Sequence, residues 1–237
     1  MIIFYCDRIQ ECPELSEEDS VHAVRVLRHV EGDEITVVDG KGTFYSCAIT
    51  EAHPKHCRFR ILQEEKEQHW PYRVELAVAP TKNADRIEWC LEKTTEMGLD
   101  RFVPLKTRFS ERKDMKTGRL LRVAVSAMKQ SLKATLPQID EMTDIGTFLK
   151  EPFDGQKFIA HCLKDSPRKL LSQEIIPNTA VRVLIGPEGD FSESEVELAM
   201  ANGYVPVSLG EQRLRTETAA LASVHTVHVI NELSTRK

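Results

Sequence analysis

From residue 73 onward the chain alternates short apolar runs with stretches of helical periodicity. This restricts it to an α/β architecture built on a mostly parallel sheet. Residues 74–78 form an apolar run closed by Pro80. Residues 85–97 follow with Ile87, Cys90, Leu91 and Thr94 on one helical side, and Gly98 stands where a helix stop belongs. Residues 102–105, 157–160, 181–185 and 205–209 read as further strands. Residues 120–132 and 216–233 read as helices, and Ser192 with Glu195 three residues later makes a capping box for a helix through Ala201.

The segment before residue 73 has another character. Residues 2–5, 34–38, 43–49 and 58–62 read as strands, and Asp39-Gly40-Lys41-Gly42 is a hairpin signal. One short helix is expected over 20–28, with Val21, Val24 and Leu27 on one side. Several short strands and one helix suggest a small barrel. The charged stretch 64–69, ending at Trp70-Pro71, reads as a linker, so the expected domains are residues 1–70 and 71–237.

The formal net charge is −5, which taken alone speaks against nucleic acid, but the charge is unevenly distributed. Residues 1–70 carry −6, whereas residues 101–133 carry +8. A local basic segment can attract phosphates whatever the total. Its candidate contacts are Arg101, Lys106, Arg108, Arg112, Lys113, Lys116, Arg119 and Arg122, which would position RNA without specifying sequence. Arg25, Arg28, Arg58 and Arg60 could add a strip on the barrel. No run of about 18 apolar residues suggests a membrane span, and the N-terminal residues lack a secretory pattern. The six cysteines contain no C-x-x-C pair, which points to a reduced, cytoplasmic chain. His53, His56 and Cys57 lie close in sequence but lack zinc spacing, so no metal is expected. His225 and His228 read as packing residues, and Cys90 and Cys162 as buried fillers.

Two strand-to-helix passages could carry a ligand site. One is Leu184-Ile185-Gly186-Pro187-Glu188-Gly189-Asp190-Phe191-Ser192; the other runs from Ser208-Leu209-Gly210 through Leu214-Arg215-Thr216-Glu217-Thr218-Ala219. Ligands in open α/β sheets bind beyond the carboxyl ends of strands, and glycines let a ligand approach the backbone. An ordinary βα connection remains the alternative for each. Neither passage is a phosphate loop or a dinucleotide fingerprint.

Together these passages resemble the knotted (SPOUT-type) methyltransferases, and most closely the bacterial small-subunit (16S) rRNA uridine N3-methyltransferases. His22-Ala23-Val24-Arg25-Val26-Leu27-Arg28 resembles the family's H-x-x-x-VLR element. Lys82, Asp85-Arg86, Lys93 through Leu99, and Gln130-Ser131 fall where its K, DR, K-x-x-ELG and QS elements do. Asp190 departs from the family's GPEGG, Met97 replaces its Leu, and Lys133 with Thr135 stands where it commonly shows Arg.

The resemblance implies a trefoil-knotted parallel-sheet domain after a PUA-like β-barrel that recognises RNA. It implies methyl transfer from S-adenosylmethionine to a uridine nitrogen by a homodimer acting on small-subunit rRNA or the assembled subunit. Carried over, cofactor contacts fall on Ile185, Gly186, Pro187, Glu188, Gly189, Leu209, Gly210, Leu214, Arg215, Thr216 and Ala219. RNA contacts fall on Arg25, Arg28, Lys82, Arg108, Arg112, Lys113, Arg119 and Lys133. A uridine nitrogen must lose its proton to attack; Arg215 is the candidate for stabilising the anion, and Glu217 or Glu96 for the base. A helix-start pair of Arg215 with Glu217, and a solvated pair of Lys93 with Glu96, are the plainer readings. Attack by nitrogen needs no cysteine nucleophile, whereas methylation at carbon usually does. The alternatives are a same-fold enzyme acting on tRNA or another rRNA atom, and a non-catalytic ribosome-assembly protein.

Overall fold

The computed structural model describes residues 2–163 and 168–235. The chain divides into two compact units. The first comprises the residues up to His69 together with Ala124–Leu136; the second comprises Trp70–Val123 and the residues from Pro137 on. A segment distant in sequence therefore packs with the first unit.

In the first unit, β1 (Ile3–Tyr5), β2 (Glu34–Val38), β3 (Thr43–Glu51) and β4 (Arg58–Lys66) form one sheet in that order. β1 and β2 pair in parallel; β2, β3 and β4 run antiparallel. The helix of this unit starts earlier than its apolar spacing suggests. Ser16 caps α1 (Glu17–Val21) by accepting from the Asp19 N–H, and a wider π-type turn over His22–Val26 follows. The stretch expected as a linker is partly strand. β4 continues through Lys66 because Glu64, Glu65 and Lys66 lie opposite Tyr45, Phe44 and Thr43. Its charged side chains point to water, which disguises the strand as a polar connector. Glu67 beyond it accepts from the Ala134 N–H (3.1 Å) and the Thr135 hydroxyl (2.6 Å).

The second unit is a parallel sheet with helices between its strands. After β5 (Val74–Val78) come α2 (Ala84–Met97), β6 (Arg101–Lys106) and α3 (Thr117–Gln130). β7 (Gln138–Ile139), β8 (Thr143–Asp144), α4 (Ile145–Phe148), β9 (Gln156–Ala160), β10 (Lys169–Leu170) and α5 (Leu171–Glu174) follow. The chain ends with β11 (Val181–Ile185), α6 (Glu193–Ala201), β12 (Val205–Ser208) and α7 (Thr216–Thr235). The sheet order is β10-β12-β9-β11-β5-β6-β7, with β8 on β6. β7, β8, β10, α4 and α5 have no counterpart among the sequence expectations; each spans at most about one turn or one pleat, too short for a period to register.

Helix ends follow local chemistry. Asn83 caps α2 by accepting from the Asp85 N–H (2.9 Å). Gly98 ends it at φ 112°, and a Cβ there would come within 2.8 Å of the Trp70 ring, so both backbone and space call for glycine. α3 begins at Thr117, before the expected 120. It stops because Leu132 turns left-handed (φ 55°) while the Lys133 N–H reaches back to the Met128 carbonyl (3.1 Å), a glycine-like ending made without glycine.

The core of the sheet holds an ion pair. Glu75 on β5 and Arg182 on β11 are each 1% exposed and stand opposite in register. Arg182 Nε and Nη2 both lie 2.7 Å from Glu75 Oε2, and its guanidinium lies over the Phe148 and Phe153 rings. Removing one partner of such a pair strands the other charge. Glu75→Ala should cost about 3–5 kcal/mol in urea unfolding. The double variant Glu75→Leu with Arg182→Met should recover much of that loss; an equal or larger loss in the double variant would remove the stranded-charge explanation.

His228 on α7 accepts from or donates to the Tyr72 hydroxyl at Nδ1 (2.8 Å) and reaches the Gly98 carbonyl with Nε2 (2.7 Å). The carbonyl can only accept, so Nε2 carries the proton and Nδ1 accepts from Tyr72. Burial pushes the His228 pKa below its ordinary 6.5, outweighing the opposing effect of the Gly98 bond. Burial, aided by Arg168, lowers His161 in the same way. The unfolded chain then binds more protons, so stability is full above about pH 6.5 and falls as pH drops below it. In His228→Asn the loss of urea midpoint between about pH 7.5 and about pH 5.5 should shrink; an undiminished loss would assign it to other groups.

Candidate functional site

Strands β9, β11 and β12 are parallel neighbours, so Ala160, Ile185 and Ser208 end at one edge of the sheet. Their following loops enclose a cavity of about 540 Å³. Every residue carried over above as a cofactor contact lines it: Ile185, Gly186, Pro187, Glu188, Gly189, Leu209, Gly210, Leu214, Arg215, Thr216 and Ala219.

The loop after β11 is a tight turn in which the Asp190 N–H donates to the Pro187 carbonyl (2.9 Å). A Cβ on Gly186 would press within 3.1 Å of the Asp190 and Phe191 backbone, so a side chain there would crowd the turn. Asp190 takes a left-handed backbone (φ 65°), unusual for a side-chain-bearing residue. Its carboxylate offsets that strain by accepting from the Cys162 N–H (2.6 Å) and from the Phe191 N–H (2.8 Å). The second loop is tied to the first by the Thr216 hydroxyl, which donates to the Gly186 carbonyl (3.1 Å). The expected capping box of α6 is present, with Ser192 and Glu195 bonded reciprocally.

The third side of the cavity comes from the end of β9. Ala160, His161, Cys162 and Arg168 line it, and Arg86 of α2 adds a further guanidinium. These residues were not among the expected contacts, although the strand over 157–160 was. The tendency of ligands to lie beyond strand carboxyl ends would have pointed to His161. His161 is buried; its Nδ1 accepts from the Leu163 N–H (3.2 Å), which leaves the proton on Nε2, and Nε2 has no hydrogen-bond partner among the described residues. Its carbonyl accepts from Arg168.

Arg215 is exposed at the cavity and has no ion pair among the described residues. The helix-start pair of Arg215 with Glu217 does not form. Glu217 is buried and faces α2 instead, where Arg86 Nη1 lies 3.5 Å from Oε1, while Oε2 has no hydrogen-bond partner. Glu96 is placed apart from the cavity lining, in a chain of charges in which Lys93 Nζ lies 2.8 Å from it and 2.7 Å from Glu92. Cys90 is fully buried, and burial raises its thiol pKa. Cys162, expected as a buried filler, is exposed, because it lies in the loop past the last residue of β9.

The basic segment is less uniform than its composition suggests. Arg101 cannot serve RNA: as the first residue of β6 it is buried, bonded to Asp140 (2.5 Å) and Glu151 (2.6 Å) and close to Glu75 (3.6 Å). Lys129 is consumed by Asp19 (2.5 Å) in the first unit. Arg25, Arg28 and Lys133 also belong to the first unit, the two arginines exposed and Lys133 half-buried. In the second unit, a cleft of about 610 Å³ is lined by Lys82, Arg112, Lys113, Lys116 and Arg119, with Glu88 and Glu111 among them. Arg112 donates to the Lys82 carbonyl (2.9 Å), Lys82 Nζ meets Glu111 (3.0 Å), and Arg119 meets Glu88 (2.6 Å). Arg108 is exposed, and its N–H donates to Glu195 (2.7 Å). The Lys82 N–H donates to Glu188 (3.2 Å), which joins cleft and cavity.

His53 and His56 stack with ring centroids 3.9 Å apart while Cys57 is buried. Among the described residues no group of three potential ligands is placed to hold a metal ion, and no helix is long and apolar enough to cross a membrane.

Residues 68–228 match the family described as RNA methyltransferase domain, and residues 15–62 match the RNA methyltransferase PUA domain. A ribosomal RNA small subunit methyltransferase E from Synechocystis is 30% identical over 215 residues, 88% of this chain and 70% of that protein. The crystal structure of a probable rRNA-methyltransferase from Porphyromonas gingivalis is 40% identical with a TM-score of 0.94, covering 99% of this chain and 100% of its own. A ribosomal RNA small subunit methyltransferase E from Neisseria gonorrhoeae, bound to S-adenosyl methionine, is 26% identical with a TM-score of 0.84, covering 97% and 98%. Two domain matches in chain order and this full-length likeness converge: the chain belongs to the RNA methyltransferase family in which a PUA domain precedes the methyltransferase domain.

Proposed function

We propose that the protein transfers a methyl group from S-adenosylmethionine to N3 of a uridine in small-subunit (16S) rRNA. The observation that carries this reading is the cavity at the strand ends, bordered by the family's two loop motifs and joined through Glu188 to a cleft lined by lysines and arginines. Relatives named as small-subunit rRNA methyltransferases support the choice of RNA. The choice of N3 comes from the motif resemblance, as does the assignment of the two loops to a knotted pocket.

The cavity suits the cofactor. Its volume falls in the ordinary range for ligand sites. Its walls are rich in backbone groups from Gly186 to Gly189 and from Leu209 to Gly210, which can meet the edges of a neutral adenine and a ribose. His161 brings a buried ring nitrogen without a partner to the same wall, and arginines there suit a carboxylate. When bound, S-adenosylmethionine supplies an electrophilic methyl group on a cationic sulfur. The chain's part is to hold the uracil and manage its proton.

Arg215, unpaired at the cavity, stabilises the negative charge that develops on the uracil as its N3 proton leaves. We assign the proton to Glu217, which follows Thr216 of the cavity wall; it lies buried against α2, holding Arg86, and has to turn toward the cavity to take it. Glu96, engaged by Lys93, is not given that role. Exposed Arg108, Lys113 and Lys116 hold phosphates, and a uridine outside a duplex is required for its edge to be reached. The first unit, the residues up to His69 with Ala124–Leu136, is assigned to RNA recognition, with Arg25, Arg28 and Lys133 as its basic contacts. The assembled small subunit or its rRNA is the substrate, which sets the work in the cytoplasm. A second copy is the proposed partner: Trp89 on α2 and Leu233 on α7, 41% and 57% exposed, lie on two helices that pack together.

In a strain lacking the gene, mass spectrometry of small-subunit rRNA should show loss of N3-methyluridine; its persistence sinks the assignment. Arg215→Ala should lower turnover about a hundredfold while the melting temperature stays unchanged. Turnover equal to the parent would take Arg215 out of the site.

A further inference from the structure

Phe109 is a large aromatic side chain left 45% exposed in the middle of the most basic stretch of the chain. An isolated exposed ring is ordinary; the way this one is held is not. It sits on a braced turn. The Thr107 N–H donates to the Ser110 hydroxyl (3.0 Å), the Ser110 N–H returns to the Thr107 carbonyl (3.2 Å), and the two hydroxyls bond at 2.9 Å. The next residue back is anchored as well, because the Arg108 N–H donates to Glu195 in the capping box of α6.

The ring also has a definite place relative to the cavity. The root of the Phe109 side chain rests on Gly189, close enough that a Cβ on that glycine would come within 3.1 Å of Phe109 Cβ. Gly189 lines the cavity. The Arg108 guanidinium lies 5.6 Å from the ring centroid. A rigidly mounted aromatic surface thus stands at the rim of the cavity, among exposed cations that would track a phosphate backbone.

From this arrangement, and resting on the reading of the protein as an RNA methyltransferase, we propose that Phe109 is the stacking platform for the target pyrimidine. The ring receives the face of the unstacked uracil and so presents its edge toward the cavity. Stacking of this kind is how single-stranded bases are held on aromatic side chains. A flat partner suits the task because it holds the uracil by its face and leaves the edge open to Arg215 and the methyl donor. Phe109 is a positioning residue here, since it takes no part in moving the methyl group or the proton.

The test compares wild type with Phe109→Leu, which keeps apolar contact with Gly189 but has no ring, and Phe109→Tyr, which keeps the ring. Three quantities are read: methyl transfer from labelled S-adenosylmethionine to unmethylated small subunits, affinity for an RNA carrying the target uridine by fluorescence anisotropy, and cofactor affinity by calorimetry. The Leu variant should lose about tenfold or more in RNA affinity and in kcat/KM for RNA, with cofactor affinity and melting temperature unchanged. The Tyr variant should stay close to wild type in all of them. Wild-type RNA affinity in the Leu variant overturns the proposal. So does equal loss in Leu and Tyr, a parallel fall in cofactor affinity, or a changed oligomeric state by sedimentation, any of which marks a structural or interface role. A wild-type protein that transfers no methyl group to small subunits defeats the functional reading, while the RNA-affinity arm still decides whether Phe109 stacks a base.

Discussion

The buried contact between Glu75 and Arg182 sets the frame for everything at the sheet's carboxyl edge. Side chains alternate between the two faces of a strand, so sliding β11 by one residue against β5 would move Arg182 to the opposite face and part it from Glu75, which Arg73 (2.8 Å) also holds. Only one register keeps guanidinium and carboxylate together between the Phe148 and Phe153 rings. That register brings Ile185 level with Val78 and, through β9, with Ala160. The starting points of the loops that form the cavity are therefore determined deep in the core.

From those starting points, a small set of hydrogen bonds converts three separate loops into one wall. Thr216 holds Gly186, Asp190 holds Cys162, and Glu188 holds Lys82. Asp190 is instructive because it departs from the GPEGG motif that the sequence otherwise resembles, in a backbone conformation that favours glycine. The conformational cost is met by bonds that a glycine side chain could not make, which link the turn to the connection after β9. Glu195 performs a similar double service. One oxygen closes the capping box on Ser192, and the other takes the Arg108 N–H, which ties the start of α6 to the basic loop.

Much of this was legible in the residues. The strand–helix alternation led to the parallel sheet. Ser192 with Glu195 led to the α6 cap, Gly98 to the end of α2, and the two loop motifs to residues that all line one cavity. What escaped was carried by single residues that a period averages away. Glu75 and Arg182 each interrupt a run of apolar neighbours, and their meaning appears only when β5 and β11 lie side by side. Glu64 to Lys66 looked like a linker because an exposed strand need not alternate in polarity. His161 and Arg168 approach the cavity from the connection after β9, which carries no motif. Cys162 was misjudged because its apolar sequence neighbours belong to the strand and it does not.

The charge distribution shows most clearly how a sum misleads at two levels. A net −5 hides a segment of +8, but that segment is itself a sum. Arg101 neutralises carboxylates in the core, Lys129 neutralises Asp19, and Arg119 is held by Glu88. Arg101 and Lys129, sheltered in their pairs, have little left to offer a phosphate, whereas the exposed pair of Arg119 is weak enough to open. The cations that remain open are concentrated in the loop between β6 and α3, which Glu195 anchors beside the cavity. In an acidic protein, such a cluster gives polyanions a local and directional point of attraction. Binding strength and orientation then come from the same few residues, and RNA that engages them arrives with its backbone already beside the cavity.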